Sequence, residues 1–270
     1  MKIGKREFAF GERTLVMGIL NATPDSFSDG GKFDSLETAV ERGLAIAAEG
    51  GDLIDIGGES TKPGAEAVGE QEELRRILGP IRELVKKTDL PLSVDTTKGT
   101  VAEAALLAGA SMINDVHGLQ GEDALGQVVA HYGVPVCIMM NRRRIPSSGD
   151  VMADLDAFMA VSLEKARKFG IREDRIILDP GVGFGLSADE SFRLIHHLAH
   201  LKSYGFPVLL GASRKRIIWQ TLGVRPEDGL AGTLATTAIG IWNGADIIRV
   251  HDVKENVACA RISEEILKNR

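Results

Sequence analysis

One recurring pattern constrains the fold of this chain most: a helical stretch, a glycine, and a short apolar segment that ends in polar residues. Glycine just past a helix suits the left-handed conformation that terminates it, and the glycines in question are Gly50, Gly51, Gly109, Gly133, Gly170, Gly205 and Gly244. The apolar segments are typical of strands buried on both faces, and they span Leu15–Asn21, Leu53–Gly57, Leu92–Asp95, Met112–Asp115, Val136–Met139, Ile176–Asp179, 208–211 and Ile247–Val250.

About eight strand–helix units in 270 residues favour a TIM (β/α)8 barrel over a doubly wound sheet. Strands that are apolar on both faces and alternate with helices imply a parallel sheet covered by helices. The lead-in at 3–13 predicts a short N-terminal β-hairpin that closes the barrel bottom, with Gly11 and Glu12 as its turn. No linker or low-complexity tract interrupts the pattern, so we expect residues 1–270 to form a single barrel domain.

The overall charge and the absence of long apolar runs exclude two classes of partner. The formal net charge of -6 argues against a nucleic-acid-binding surface, which needs a net basic face. No apolar run approaches the ~18 residues that a membrane span requires. The only two cysteines, Cys137 and Cys259, do not resemble a disulfide framework. We therefore expect a soluble protein of the reducing cytoplasm.

Polar residues follow most of the predicted strands. In a TIM barrel the C-terminal strand ends meet at one face and carry the active site. The residues at these ends are Asn21, Asp55, Asp95, Asn114, Asp115, Asp179, Ser213, Lys215, Arg249 and His251. Carboxylates and amides are costly to bury without partners, so this convergence with three basic residues predicts a functional site. Some of these groups are expected to be structural partners for one another.

Seven motifs in this order resemble those of the dihydropteroate synthase family over nearly the whole chain. They are NATPDSFSDGG at 21–31, DIGGESTKPG at 55–64, SVDT at 93–96, IND at 113–115, DPGVGFG at 179–185, SRKR at 213–216 and RVHDV at 249–253. Each motif alone is weak, but together they are highly specific. The resemblance implies condensation of (7,8-dihydropterin-6-yl)methyl diphosphate with 4-aminobenzoate to give 7,8-dihydropteroate and diphosphate. In this family C–O cleavage leads the attack and generates a pterin methyl cation.

The resemblance also implies a role for each matching residue. Asp95, Asn114 and Asp179 would face the donor-rich edge of the pterin, where charge-assisted hydrogen bonds are strong. Lys215 would donate to the pterin near the second substrate, and Asp29 would steady the cation. The implied catalytic residues are Lys215, Asp95, Asp29 and Phe27.

For the diphosphate, the resemblance implies Arg249 and His251 as ligands, with Asn21 supplying an oxygen to Mg²⁺, the implied cofactor. The residues matched to positions around 4-aminobenzoate are Thr61, Lys62, Pro63, Ser213, Phe27 and Phe184. Family members usually form homodimers through later helices, and the faces at 192–201 and 234–242 would serve here.

The chain departs from the family pattern at several positions. Lys62 stands where arginine is usual and lacks the planar fork of a guanidinium. Met140 replaces a histidine after the fifth barrel strand, and the other departures are Leu186, Ser187, Ser191 and Gly229. We interpret 142–144, three consecutive arginines, as a solvated loop. Two alternatives stay open: a corrinoid-dependent methyltetrahydrofolate methyltransferase, and a non-catalytic pterin-binding paralogue.

Overall fold

The computed structural model describes residues 1–22, 32–60 and 67–269, and for residues 32–35 it describes the backbone alone. The strands are β1 (Lys2–Ile3), β2 (Arg6–Glu7), β3 (Leu15–Asn21), β4 (Leu53–Gly57), β5 (Leu92–Asp95), β6 (Met112–Asp115), β7 (Val136–Met139), β8 (Ile176–Asp179), β9 (Leu209–Leu210) and β10 (Ile247–Val250). The helices are α1 (Lys32–Ala48), α2 (Glu70–Lys87), α3 (Gly99–Ala108), α4 (Asp123–Tyr132), α5 (Val151–Phe169), α6 (Ala188–His196), α7 (Leu198–Lys202), α8 (Arg216–Leu222), α9 (Leu230–Trp242) and α10 (Val253–Lys268).

Eight parallel strands form one sheet in the order β8-β7-β6-β5-β4-β3-β10-β9. A parallel bridge between Leu178 and Val208 joins the two ends of this sheet, and the Leu178 amide donates to the Pro207 carbonyl at 2.9 Å. The sheet therefore closes around to its first strand, and the predicted (β/α)8 barrel is confirmed. Strand β9 is shorter than the predicted 208–211, because only Leu209 and Leu210 pair in register with β10, and the bridge of Val208 to Leu178 is isolated.

A small antiparallel hairpin precedes the barrel, as predicted, but the predicted turn at Gly11 and Glu12 is wrong. Strands β1 and β2 pair Lys2 with Glu7 and Ile3 with Arg6, so the turn consists of Gly4 and Lys5. Gly4 has a φ of 57°, a left-handed value that glycine adopts at little cost.

The barrel interior changes from apolar to polar along the strands. Its lower part is a buried cluster comprising Ile3, Phe8, Leu15, Met17, Leu53, Met112, Cys137, Ile177, Leu209 and Ile247. Side chains of a strand alternate between its two faces. On β4, β6, β8 and β10 the next inward-facing residue lies two positions after the apolar residue of this cluster. These next residues are Asp55, Asn114, Asp179 and Arg249. This layer forms the floor of the candidate site.

A second apolar cluster fills the space between the barrel and its helices, and includes Val16, Ile54, Val94, Ile113 and Ile138. These residues occupy the outward positions of the same strands, which explains why the sequence reads as apolar on both faces. None of the helices in the described ranges is long and apolar enough to cross a membrane.

Candidate active site

Three strands join through one arginine at the floor of the site. Arg249 Nε lies 2.6 Å from Asp55 Oδ2, and one terminal nitrogen of Arg249 lies 2.9 Å from Asp95 Oδ2. The Asn114 amide nitrogen donates to the same Asp55 oxygen at 3.1 Å. Asp55 is fully buried, and its Oδ1 has no hydrogen-bond partner within the described residues. The floor is therefore a buried charge network that still holds an open acceptor.

Burial tunes the acid–base properties of this network. Desolvation raises the pKa of Asp95 to about 7, although the nearby Arg249 opposes the rise and Asp55 adds to it. Burial alone would lower the pKa of Arg249, but the attraction of Asp55 and Asp95 outweighs it and the pKa is raised. Arg249 thus stays charged, while Asp95 is the group of this network that titrates near neutrality.

A lysine and a carboxylate face each other on the other side of the floor. The Lys215 ammonium donates to the carbonyl of Val182 and lies 4.7 Å from the centre of the Phe184 ring, a cation–π distance. Asp179 accepts a hydrogen bond of 2.7 Å from the Gly181 amide. Desolvation lowers the pKa of Lys215 to about 8, opposed by the charge of Asp179. Desolvation also raises the pKa of Asp179, opposed by Lys215.

Ser213 and His251 meet at the rim. Ser213 Oγ lies 3.0 Å from His251 Nδ1 and accepts the His251 backbone N–H at 3.1 Å. The His251 carbonyl accepts from Arg42 of α1 at 2.6 Å. A cleft of about 510 Å³ opens beside this group and is lined by Asn21, Arg42, Arg214 and His251 among others. Glu49, Asp252 and Glu255 also line the cleft. Arg42 pairs with Glu49 and Arg214 with Asp252, so the charges of both arginines are already balanced there.

The loops after β7 and β8 support each other, and glycine is required where they touch. A Cβ on Gly181 would lie 1.8 Å from the Met140 carbonyl oxygen, and Gly181 has a φ of 73°. The Met140 amide donates to the Asp179 carbonyl at 3.0 Å, and the Arg142 amide donates to the Phe184 carbonyl at 3.2 Å. These contacts fix the backbone on which Asp179 and Phe184 stand.

The interpretation of 142–144 as a wholly solvated loop is wrong for its first arginine. Arg142 is buried, and its Nε lies 2.8 Å from Asp154 Oδ2 on α5. Met140 is also buried, and its side chain belongs to the cluster between barrel and helices rather than to the site. The methionine that replaces the family histidine is therefore a packing residue.

The structure brings most of the predicted site residues together at one face. Those with described side chains around the floor and rim are Asn21, Asp95, Asn114, Asp179, Phe184, Ser213, Lys215, Arg249 and His251. Five further predicted residues lie outside the described residues: Phe27, Asp29, Thr61, Lys62 and Pro63. Asp115 follows the same strand as Asn114, but its carboxylate accepts the amides of His117 and Leu119 at 2.8 and 2.6 Å. Asp115 therefore shapes its own loop.

Sequence reasoning missed the partners of the site residues. Asp55 was visible at a strand end, yet nothing in the sequence paired it with Arg249, which lies 194 positions away. Arg42 had no signal at all, because it lies on an ordinary amphipathic helix. Arg214 and Asp252 were visible only as parts of motifs, although they pair with each other across the rim.

The donor chemistry of the rim fits Mg²⁺ only as an ion that arrives with its ligand. No group of three or more His, Cys, Asp or Glu side chains within the described ranges is arranged to hold a metal. Asn21 is exposed at the end of β3 and lines the cleft. Mg²⁺ keeps several waters and is commonly bound through one or two protein oxygens plus substrate phosphates. A single amide oxygen at the edge of this cleft suits that mode.

Comparison with known proteins assigns this barrel to a class. Residues 17–251 match the model of the pterin binding enzyme family. A dihydropteroate synthase of Clostridium beijerinckii is 44% identical over 99% of this chain and 100% of its own length. The chain belongs to the pterin-binding enzymes.

Solved structures similar to this chain indicate which pterin-binding enzymes it resembles. A dihydropteroate synthase from Clostridium difficile, crystallised with pteroic acid, has a TM-score of 0.93 and 45% identity over 96% of this chain and 99% of that one. The enzyme from Xanthomonas albilineans with 4-aminobenzoic acid has a TM-score of 0.91 and 46% identity over 94% and 93%. Within its class, the chain is a member of the dihydropteroate synthase family.

Proposed function

We propose that the chain condenses (7,8-dihydropterin-6-yl)methyl diphosphate with 4-aminobenzoate, giving 7,8-dihydropteroate and diphosphate. The observation that carries the proposal is the polar layer that β5, β6 and β8 place at one face. Asp95, Asn114 and Asp179 supply acceptors there, and Lys215 stands beside them. The relatives crystallised with pteroic acid and with 4-aminobenzoic acid support this choice of substrates.

The pterin edge would bind to the floor. A 2-amino-pyrimidinone presents several N–H donors, and ionised Asp95 or Asp179 accepts them in charge-assisted hydrogen bonds. Asn114 offers an amide oxygen because its nitrogen is already committed to Asp55. Lys215 donates to a pterin acceptor, and its contact with the Phe184 ring limits where its ammonium can go. The residues thereby fix the reactive methylene relative to the rim.

The diphosphate end would lie at the rim. Arg249, from the floor beneath the rim, provides positive charge, and His251 provides an N–H donor. Both stabilise negative charge as it develops on the leaving group. Asn21 would hold Mg²⁺, which when bound with the substrate neutralises further charge on the departing diphosphate. Ser213 orients the His251 ring through its 3.0 Å contact with Nδ1.

The second substrate would bind beside the pterin. Phe184 is half-buried next to Lys215 and offers an aromatic face for the ring of 4-aminobenzoate. Ser213, two residues before Lys215 and in contact with His251, would supply a hydroxyl to the same substrate. The amine then attacks the methylene carbon after the C–O bond to diphosphate has opened, and loses its proton as the new C–N bond forms.

We also propose a homodimer that works in the cytoplasm. Phe192 on α6 and Ile239 and Trp242 on α9 are 37%, 51% and 48% exposed, and the two helices pack together. Such an apolar patch supports contact with a second copy. The two cysteines are free thiols, which suits a reducing compartment. Light scattering of the purified chain tests the dimer, and a monomeric mass at micromolar concentration would contradict it.

The decisive experiment measures diphosphate release with each of pterin diphosphate, 4-aminobenzoate and Mg²⁺ omitted in turn. We expect release that requires all three and yields dihydropteroate. Lys215→Ala and Asp95→Ala should each remove most of the turnover and leave the circular dichroism spectrum unchanged. Lys165→Ala is the control: Lys165 forms an ion pair with Asp123 at the surface, and its loss should leave turnover intact. Tight pterin binding without release would favour the binding paralogue. A corrinoid-dependent methyl transfer would favour the other alternative.

A further inference from the structure

We propose that Arg214 and Asp252 are positioning residues that hold the turn carrying Lys215 against the turn carrying His251. The inference rests on the proposed function, in which Lys215 contacts the pterin and His251 the diphosphate of one substrate. Arg214 directly precedes Lys215 and Asp252 directly follows His251 in the sequence. Neither Arg214 nor Asp252 is assigned contact with the substrate.

The first observation is the orientation of the Asp252 side chain. Asp252 occupies the N-cap position of α10, where an aspartate usually accepts a hydrogen bond from its own helix. Among the described residues it accepts none there. Its carboxylate instead receives two hydrogen bonds from the Arg214 guanidinium, one from Nε at 3.0 Å and one from a terminal nitrogen. The Asp252 side chain therefore bonds to the loop that carries Arg214 instead of capping α10.

The second observation is the backbone of Arg214. Its φ is 54°, in the left-handed region that non-glycine residues rarely adopt. The Arg214 amide donates to Thr233 Oγ1 at 3.2 Å, so both its main chain and its side chain are tied down. Strain of this kind persists only when the surrounding contacts enforce it. The turn therefore trades local stability for a defined direction of the Lys215 side chain.

A second described contact between the two turns runs through Ser213. Ser213 Oγ lies 3.0 Å from His251 Nδ1 and accepts the His251 backbone N–H at 3.1 Å. On the other side, Asn256 donates to the Asp252 carbonyl at 2.7 Å and accepts from Thr237 at 2.7 Å, which anchors Asp252 in the barrel wall. Arg214 thus links the turn that carries Lys215 to Asp252, whose own position is held by Asn256.

The expected consequence is a loss of alignment rather than of substrate affinity. Misplacing a catalytic group by about 1 Å can reduce the rate roughly 100-fold, even when the altered residue does not touch the substrate. Asp252→Asn keeps the size of the side chain but removes its charge. We expect it to lower kcat roughly tenfold, with a smaller change in the KM of either substrate.

Arg214→Gly separates positioning from stability. Glycine adopts the left-handed conformation freely, so this variant relieves the strain while it removes the clamp. We expect its Tm to stay within about 4 °C of the wild type while kcat falls roughly tenfold. Arg214→Lys keeps the charge but loses the planar fork of the guanidinium. Its kcat should lie between those of the wild type and Arg214→Gly. The matched control is Asp174→Asn, because Arg172 holds Asp174 in the same two-point geometry at 2.9 and 2.7 Å, away from the site.

A second readout does not depend on turnover. Lysine acetylation by limiting acetic anhydride, followed by peptide mass spectrometry, reports how accessible the Lys215 amine is. We expect Lys215 to be acetylated several-fold faster in Asp252→Asn and Arg214→Gly, and at the wild-type rate in Asp174→Asn. Variants with wild-type kcat and wild-type Lys215 acetylation would overturn the proposal. An inactive wild type would refute the proposed function, while the acetylation rates would still decide whether the clamp exists.

Discussion

Replacing Arg249 by methionine tests the charge network at the floor of the site. The substitution keeps the unbranched stem of the side chain but leaves Asp55 and Asp95, which are 0% and 8% exposed, without their shared cation. At a charge separation of about 4 Å and an effective dielectric constant of about 20, each pair contributes roughly 4 kcal/mol of attraction. Much of that offsets desolvation, and removal of one partner from a buried pair typically costs about 3–5 kcal/mol.

The loss should depend on pH. Desolvation already raises the pKa of Asp95 to about 7, and Arg249 is the group that restrains it. Without Arg249 this pKa rises further, so the folded variant keeps its proton above pH 7 where the wild type and the unfolded chain have lost theirs. Stability falls with rising pH wherever the folded state binds more protons than the unfolded state. The difference between variant and wild type should therefore grow as the pH rises through and above 7.

Urea unfolding followed by circular dichroism at pH 6 and at pH 9 measures this difference. We expect a loss of about 3–5 kcal/mol at pH 9 and a clearly smaller one at pH 6. Arg172→Met is the control, since its exposed pair with Asp174 should contribute less than about 1 kcal/mol at either pH. An equal loss at both pH values would refute the assignment of the shifted pKa to Asp95 and Arg249.

Three further outcomes are expected. The pH profile of kcat/KM should be bell-shaped, rising near pH 7 as Asp95 ionises and falling near pH 8 as Lys215 loses its proton; a flat profile from pH 6 to 9 would contradict these roles. Gly181→Ala should lower the free energy of unfolding by about 3 kcal/mol, measured by urea unfolding, because its Cβ would clash with a carbonyl oxygen, whereas Gly133→Ala, with open space around it, should cost only about 1–2 kcal/mol. Lys62→Arg should lower the KM for 4-aminobenzoate roughly fivefold, the equivalent of one hydrogen bond of about 1 kcal/mol, and change inhibition by sulfamethoxazole; unchanged inhibition would contradict the importance of this departure.

The glycines that end helices and most of the strand bounds were predicted correctly, β9 excepted, because both are local signals. Gly109, Gly133 and Gly170 terminate their helices in the left-handed conformation, with φ values of 115°, 62° and 81°. The hairpin turn was misplaced because Gly4 and Gly11 both adopt positive φ, at 57° and 91°. The sequence offers two suitable glycines, and the packing of the lead-in under the barrel selects the first.

The candidate site divides in the same way. Strand ends of a parallel barrel converge whatever their distance in sequence, so the position of Asp95, Asn114 and Asp179 followed from the strand pattern. The burial of Arg142 did not, because a run of three arginines carries no sign of which one meets Asp154. Likewise, Met139 and Met140 are adjacent in sequence. Side chains along β7 alternate between its two faces, and this alternation in the folded barrel places Met140 against the helices.

The sequence by itself determined the eight strand–helix units, and with them the face at which polar residues gather, because hydrophobic period and terminating glycines act over a few residues. Only the tertiary structure decided which charges pair. Arg249 and Asp55 are 194 positions apart, and Arg214 and Asp252 are 38 apart. Coulomb attraction and burial depend on distances in space, and closure of the barrel sets those distances.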